Sequence, residues 1–266
     1  MTFLHIAILA SVQGLTEFLP ISSSGHLALI PLLTGWADQG LALDIAVHVG
    51  SLGAVVSYFW RDSWAAFKGL FRLLGGRSSP DARLAANLIL ATIPIVVAGA
   101  AAIYFDLLGY WRSAEIIGWS MLGFGILLFI ADRTGMTVRR VEHMRAGAAI
   151  AIGIAQIASL IPGTSRAGIT MTAARLLGYE RGESARFSML LSIPTIFAAA
   201  GVSIYGIFSS QDVTLGTDAL IAAGCALIAA LLAITLLMAW LRQQSFTPFV
   251  IYRVILGAIL LYWVYV

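Results

Sequence analysis

Pro20-Ile-Ser-Ser-Ser-Gly-His26 and Pro162-Gly-Thr-Ser-Arg-Ala-Gly168 are the two stretches that decide how this chain reads. Each sets small hydroxyl residues and glycine inside an otherwise apolar segment, one in each half of 266 residues. Lipid satisfies neither polar backbone nor polar side chains, so irregular polar chain at membrane depth implies a protein-lined cavity. Together the two stretches bring a histidine, an arginine and several hydroxyls to such a place.

The surroundings are those of a membrane protein. Hydrophobic residues make up 60% of the sequence and charged residues 11%, against about 25% charged in soluble domains. An all-α polytopic membrane fold follows. The one cysteine, Cys225, lies within an apolar run and is expected to pack as a small hydrophobe, giving neither a disulfide framework nor a cysteine metal site. Met1 to Ala10 lacks a basic leader region and a cleavage site, so it is expected to stay in the mature protein. The sixteen Lys and Arg residues are scattered over loops bordering apolar segments, a pattern of membrane topology and not of nucleic-acid binding.

Six segments are long and apolar enough to cross a bilayer at about 20 residues per helix: residues 43–60, 84–105, 114–131, 187–208, 218–241 and 249–266. They fall into two groups of three. Ahead of each group lies a segment broken near its middle by Pro and Gly, residues 1–34 and 146–177, and each is read as a re-entrant helix-loop-helix hairpin. Three crossings per half invert the second half relative to the first. The sequence therefore predicts one integral membrane domain over 1–266, built as an inverted-topology repeat of about 1–132 and about 146–266, with a site where the broken helices meet.

Charge gives an independent reading of topology. Arg61, Lys68, Arg72, Arg77 and Arg83, then Arg133, Arg139, Arg140 and Arg145, then Arg175, Arg181 and Arg186, and finally Arg242 all fall on one face of this arrangement. The opposite face receives residues 35–42, 106–113 and 209–217, with Arg112 as their one basic residue. The positive-inside rule makes the basic face cytoplasmic. The first hairpin then enters from outside and the second from inside.

Gln13 and Glu17 are four residues apart and share a helical face. A carboxylate within an apolar segment is functional by default, although it also serves structurally as an acceptor for loop amides or an arginine. Ser22, Ser23 and Ser24 suit a turn and the N-cap of a helix starting near His26, and for Ser24 this structural reading is preferred. The same geometry cradles phosphate oxygens. His26, close to Glu17, Ser22 and Ser23, is a candidate nucleophile, base or acid. In the second loop Gly163, Thr164 and Ser165 offer small polar contacts. Arg166 is read both as a buried partner for Glu17 and as a bidentate phosphate ligand, with phosphate binding preferred. Asp44 and His48 stand one turn apart at a metal-ligand-like spacing, for which a supporting or packing role is expected. Met121, Met171, Met189 and Met238 read as fillers, and Tyr58-Phe59-Trp60, like Tyr262, Trp263 and Tyr265, as interfacial anchors.

The stretch from Gln13 to His26 and the Pro162–Gly168 loop resemble the two signatures of the bacterial undecaprenyl-diphosphate phosphatase family associated with bacitracin resistance. The resemblance covers motif order, the spacing between halves and the six-span, two-hairpin plan. It implies removal of the terminal phosphate of undecaprenyl diphosphate, a polyprenyl diphosphate lipid, which recycles the carrier for peptidoglycan and other envelope polysaccharides. It also implies a divalent cation, Mg2+ or Ca2+, positioned by Glu17 with Gln13, and a multi-pass protein of the bacterial plasma membrane whose site faces the periplasm. By the same carry-over, Glu17, Ser23, His26 and Arg166 are catalytic, and Ser22, Ser24, Gly163, Thr164, Ser165 and Arg166 bind phosphate. Two positions depart from the commonest pattern. Gln13 stands where an acid is usual and removes one negative charge, and Ala167 replaces a serine and removes one hydroxyl.

For the nucleophile, Ser23 activated by His26 is preferred, with His26 itself and metal-activated water as alternatives. From another class, a secondary transporter would also show an inverted repeat with meeting hairpins, so flipping of a polyprenyl phosphate is the competing function, alone or beside hydrolysis. Either a monomer or a homodimer suits such a repeat.

Overall fold

A computed structural model describes residues 3–36, 40–111, 113–135, 137–210 and 217–266. Arg112, Met1, Thr2 and the middle of the 209–217 loop lie outside the described residues. The chain is helical: α1 Phe3–Glu17, α2 Ser23–Thr34, α3 Leu41–Tyr58, α4 Trp60–Leu74, α5 Pro80–Tyr104, the short α6 Leu107–Tyr110, α7 Ala114–Thr134, α8 Ala146–Gln156, α9 Arg166–Leu176, α10 Arg181–Ser210, α11 Thr217–Trp240 and α12 Thr247–Tyr265. Local signals start these helices where the sequence places them. At α5 the Ser79 hydroxyl accepts from the Ala82 amide at 3.1 Å, and Pro80 and Asp81 fill the first turn, where a missing N–H costs nothing and a carboxylate complements the helix dipole.

Among the described residues, five helices are long and apolar enough to span a membrane, and a sixth is reached if α3 and α4 count as one broken pair bent by 96°. The chain is thus an all-α, multi-pass membrane protein. The six expected spans coincide with α3, α5, α7, α10, α11 and α12 to within a few residues.

α4 was not expected: the sequence reading gave residues 61–83 to a basic loop. It is an amphipathic helix, with Trp60, Trp64, Phe67, Phe71 and Leu74 exposed. Arg61 lies over the Trp60 ring and Lys68 over Trp64. Exposed aromatic residues interleaved with cations, on a helix turned sharply from a span, are the make-up of a helix lying in the membrane interface. The anchor reading holds for Trp60 but not for Phe59, which is buried.

Packing crosses between the halves. α1 lies along α11, α8 lies along α5, and α7 pairs with α12, so each hairpin's first helix rests on a span from the other half. Small residues permit the approach. A Cβ on Gly50 of α3 would stand 2.1 Å from the Ala223 carbonyl oxygen of α11. Met121, Met171 and Met189 are fully buried fillers, and Cys225 packs against the cluster of Ile6, Leu9 and Val47.

At the far end of α9 from its polar loop lies a charged layer. Fully buried Arg175 stands 3.2 Å from Asp132, whose carboxylate also takes Arg181 at 2.7 Å and the Phe246 amide. Arg186 ties Asp62, Glu142 and Glu183 together, and its hydrogen bond holds the Glu142 carboxyl below the usual carboxylate range. Three of the arginines read from sequence as loop charges are therefore structural ties.

Candidate active site

The two polar loops have the same backbone frame. Ser22 (φ 75°) caps α2 by accepting from the Gly25 amide, and Ser165 (φ 69°) caps α9 by accepting from the Gly168 amide. Adding 143 to a residue number in the first hairpin gives its counterpart in the second: Phe3 and Ala146 begin the entering helices, Ser22 and Ser165 cap the returning ones, and Gly35 and Gly178, both at positive φ, follow their ends. Of the three serines read as turn and cap residues, Ser22 is the N-cap. Ser24 is exposed, with its hydroxyl 3.4 Å from that of Ser22.

On this frame the side chains of both loops converge on Glu17. Its carboxylate accepts the Ser23 hydroxyl at 2.6 Å, the Gln13 amide at 2.9 Å and the Arg166 guanidinium at 3.0 Å. Arg166 is also held by the Ser188 carbonyl. Of the two expected faces of Arg166, the structure shows the partner of Glu17. A buried pair of this kind is costly to break one-sidedly, by about 3–5 kcal/mol.

His26 is held by Ser22, as its expected place beside that loop implies, but not by Ser23. Its Nδ1 is 2.7 Å from the Ser22 carbonyl, which only accepts, so Nδ1 carries the proton and Nε2 accepts from the Tyr252 hydroxyl. Both ring nitrogens are committed, and no hydrogen bond joins His26 to Ser23. The Ser23 proton points at Glu17.

Gly163 (φ +92°) needs its missing side chain, because a Cβ would stand 2.6 Å from the Ile117 carbonyl oxygen. Thr164 is fully buried with its hydroxyl unpartnered, one of few such atoms among the described residues. Ala167 faces away from the site and packs into the main apolar core. The amides of Ser23, Ser24, Arg166 and Ala167 make no hydrogen bond among the described residues, so two helix N-termini with uncommitted donors meet here. Open helix N-termini of this kind favour anions.

Arg253 escaped the sequence reading. This arginine of α12 is fully buried and donates to five backbone carbonyls: Pro20 in the first loop, Gly163 and Thr164 in the second, and Ser120 and Met121 of α7. It clamps the two loops to each other. The signal was available, because a single arginine inside the apolar run 249–266 is the kind of intramembrane charge that marks function.

A divalent cation fits this set in a limited way. The Gln13 carbonyl oxygen is buried without a partner beside the Glu17 carboxylate, an oxygen donor pair of the kind Mg2+ uses together with substrate phosphates. No group of three His, Cys, Asp or Glu residues forms a cage among the described residues, so such an ion would share its shell with the substrate.

Comparison with known proteins gives concordant results. A family model described as bacitracin resistance protein BacA matches residues 6–259. The chain is 52% identical over 266 residues, the full length of both, to a protein of Roseobacter denitrificans named undecaprenyl-diphosphatase. It is 52% identical to another of that name from Ruegeria pomeroyi, covering 98% of each chain, and 52% identical to undecaprenyl-diphosphatase 1 of Rhodospirillum rubrum, covering 98% of this chain and 95% of the relative.

Proposed function

The chain belongs to the bacitracin resistance protein BacA family, and we propose that its two-loop site removes the terminal phosphate of undecaprenyl diphosphate, leaving the monophosphate carrier. The observation that carries the reading is the convergence of Ser23, Glu17 and Arg166, drawn from two loops far apart in sequence, at a pair of open helix N-termini. That is a nucleophile, a proton acceptor and a phosphate fork in one place. Relatives named for the diphosphatase reaction favour hydrolysis over lipid transport.

In this reading the diphosphate enters between the loops, and Arg166 exchanges Glu17 for phosphate oxygens, which match its planar fork. Amides of Ser23, Ser24, Arg166 and Ala167, with the hydroxyls of Thr164, Ser165, Ser22 and Ser24 and the bare backbone of Gly163, cradle the remaining oxygens. Ser23 Oγ attacks the terminal phosphorus and its proton passes to Glu17. The bond to the bridging oxygen breaks and prenyl monophosphate leaves. Water then attacks the phosphoserine and the Ser23 Oγ–P bond breaks, the water's proton passing to His26 Nε2 as that nitrogen gives up its bond from the Tyr252 hydroxyl, and from there to solvent. Glu17 returns its proton to Ser23, and inorganic phosphate departs. Little covalent work falls to the protein, so positioning and electrostatics dominate. Mg2+ or Ca2+, held by Glu17 and Gln13, would neutralise charge on the phosphate oxygens.

The offset of 143 shared by both hairpins, and the exchange of packing partners between halves, support the inverted-topology repeat. The basic residues on α4 and in the loops after α7 support a cytoplasmic assignment for that face, in a bacterial plasma membrane, with the site opening to the periplasm. The test is phosphate release from a short-chain isoprenyl diphosphate by purified protein in detergent, with and without chelator. Release by wild type that Arg166→Ala abolishes is expected. Near-normal turnover in folded Arg166→Ala would sink the assignment, and absent release with lipid translocation in liposomes would favour a transporter.

A further inference from the structure

We propose that His48 is a nitrogen ligand of the divalent cation, completing a Glu17–Gln13–His48 donor set that gives this chain a preference for Mn2+, or a similar transition ion, over Mg2+ and Ca2+. His48 stands on α3, the span next to the hairpin. Its Nδ1 lies 2.7 Å from the Asp44 carbonyl oxygen. A carbonyl only accepts, so Nδ1 carries the proton and the lone pair is on Nε2. Donation of one ring N–H to a backbone carbonyl is the arrangement that fixes the tautomer and orientation of metal-bound histidines.

That Nε2 faces the site. It is 4.0 Å from Glu17 Oε2 and has no hydrogen-bond partner among the described residues. Two donors each about 2.1 Å from one ion lie at most about 4.2 Å apart, so a single cation reaches both. His26 is the instructive contrast: it has the same Nδ1 contact to a carbonyl four residues back, but its Nε2 is taken by Tyr252.

A second, independent observation points to the same place. The Gln13 side chain is fully buried, its nitrogen is bonded to Glu17 Oε2, and its carbonyl oxygen has no partner. With one end of the amide unpaired, its orientation is not fixed by protein partners on both sides. Turned over, it aims its oxygen at the place beside Glu17 where its nitrogen now points and leaves the nitrogen in the unpaired position, and a cation there favours that orientation. The donor set is then one carboxylate, one amide oxygen and one imidazole. Imidazole suits later first-row ions such as Fe2+ and Zn2+ best, and Mn2+ stands at the weak end of that order, while Mg2+ and Ca2+ keep to oxygen. The single carboxylate is consistent with this, because Gln13 offers a neutral oxygen where a second carboxylate would have raised affinity for hard cations.

The inference rests on the diphosphatase reading for what the ion does, but its test does not depend on turnover. Purified protein in detergent is loaded with Mn2+, alone and together with methylenediphosphonate as a phosphate mimic, and pulsed electron paramagnetic resonance reads nitrogen coupled to the ion. Wild type is expected to show imidazole nitrogen coupling that His48→Gln loses and His26→Gln keeps, with Mn2+ affinity falling about tenfold or more in His48→Gln and Mg2+ affinity changing less than about twofold. Thermal melts check that both variants stay folded. No nitrogen coupling in wild type, or coupling that survives His48→Gln, overturns the proposal. Phosphate release by wild type in the same preparation separates that failure from failure of the diphosphatase reading.

Discussion

The first polar loop and the second share a frame and differ in what they carry. Ser22 and Ser165 have the same left-handed turn and the same cap to a glycine three residues on, yet the next position is Ser23 in one loop and Arg166 in the other. Glu17 has Leu160 as its counterpart, and His26 has Ile169. Even the glutamines diverge: Gln13 and Gln156 are both fully buried at the matching position, but only Gln13 has a partner. The frame makes an open helix N-terminus twice; in the proposed mechanism the reacting groups are divided between the copies, so neither loop is a site alone.

The largest effects should come from the divided groups. Ser23→Ala and Arg166→Ala are each expected to cut phosphate release roughly a thousandfold. Ser23→Ala keeps substrate binding, whereas Arg166→Ala weakens it as well, a difference read in kcat against KM. Equal loss in both parameters for both variants would mean that the loops do not divide the labour. Next in size, Arg253→Met should loosen both loops together, because hydrogen bonds to a charged donor contribute about 1.5–3 kcal/mol each. A fall in melting temperature with a tenfold or greater drop in kcat is expected, and an unchanged melt would remove Arg253 as the clamp.

The glycines test whether the frames are equally tight. A Cβ on Gly168 would stand 2.8 Å from Arg253 Nη1, while one on Gly25 meets nothing nearer than the Ser22 hydroxyl at 3.3 Å. Gly168→Ala should therefore cost about 1–3 kcal/mol and reduce turnover, while Gly25→Ala changes either by less than half as much. The smallest effect is expected at the glutamines. Gln156→Leu removes an unpartnered buried amide and should leave thermal stability unchanged or raise it by about 1 kcal/mol, whereas Gln13→Leu lowers activity without a matching loss of stability. Identical behaviour at the two positions would restore the symmetry that the structure denies them.

What the sequence disclosed followed from how local each signal was. Spans α5, α7, α11 and α12 were legible because hydropathy sums over about 20 residues and tolerates errors at any one of them. α4 was not, because its apolar face is interleaved with Arg61, Lys68 and Arg72 and reads as a charged loop until its helical period is considered. Glu17 and Arg166 were found as intramembrane charges, and their pairing was anticipated. Which of the three serines caps the helix was not legible, since a positive φ at a serine is invisible in composition, and neither was the turn of Ser23 toward Glu17. Arg253 was hidden by its setting in a hydrophobic helix, where one cation barely alters the average.

The position of Arg253 also sets an order of assembly. Both loops are made long before α12, and until that helix is threaded into place, the carbonyls of Pro20, Gly163 and Thr164 lack the cation that fixes them. A partly synthesised chain can insert its earlier spans yet cannot assemble a finished pocket. On the proposed function, the grip on phosphate is therefore completed only when this last helix docks.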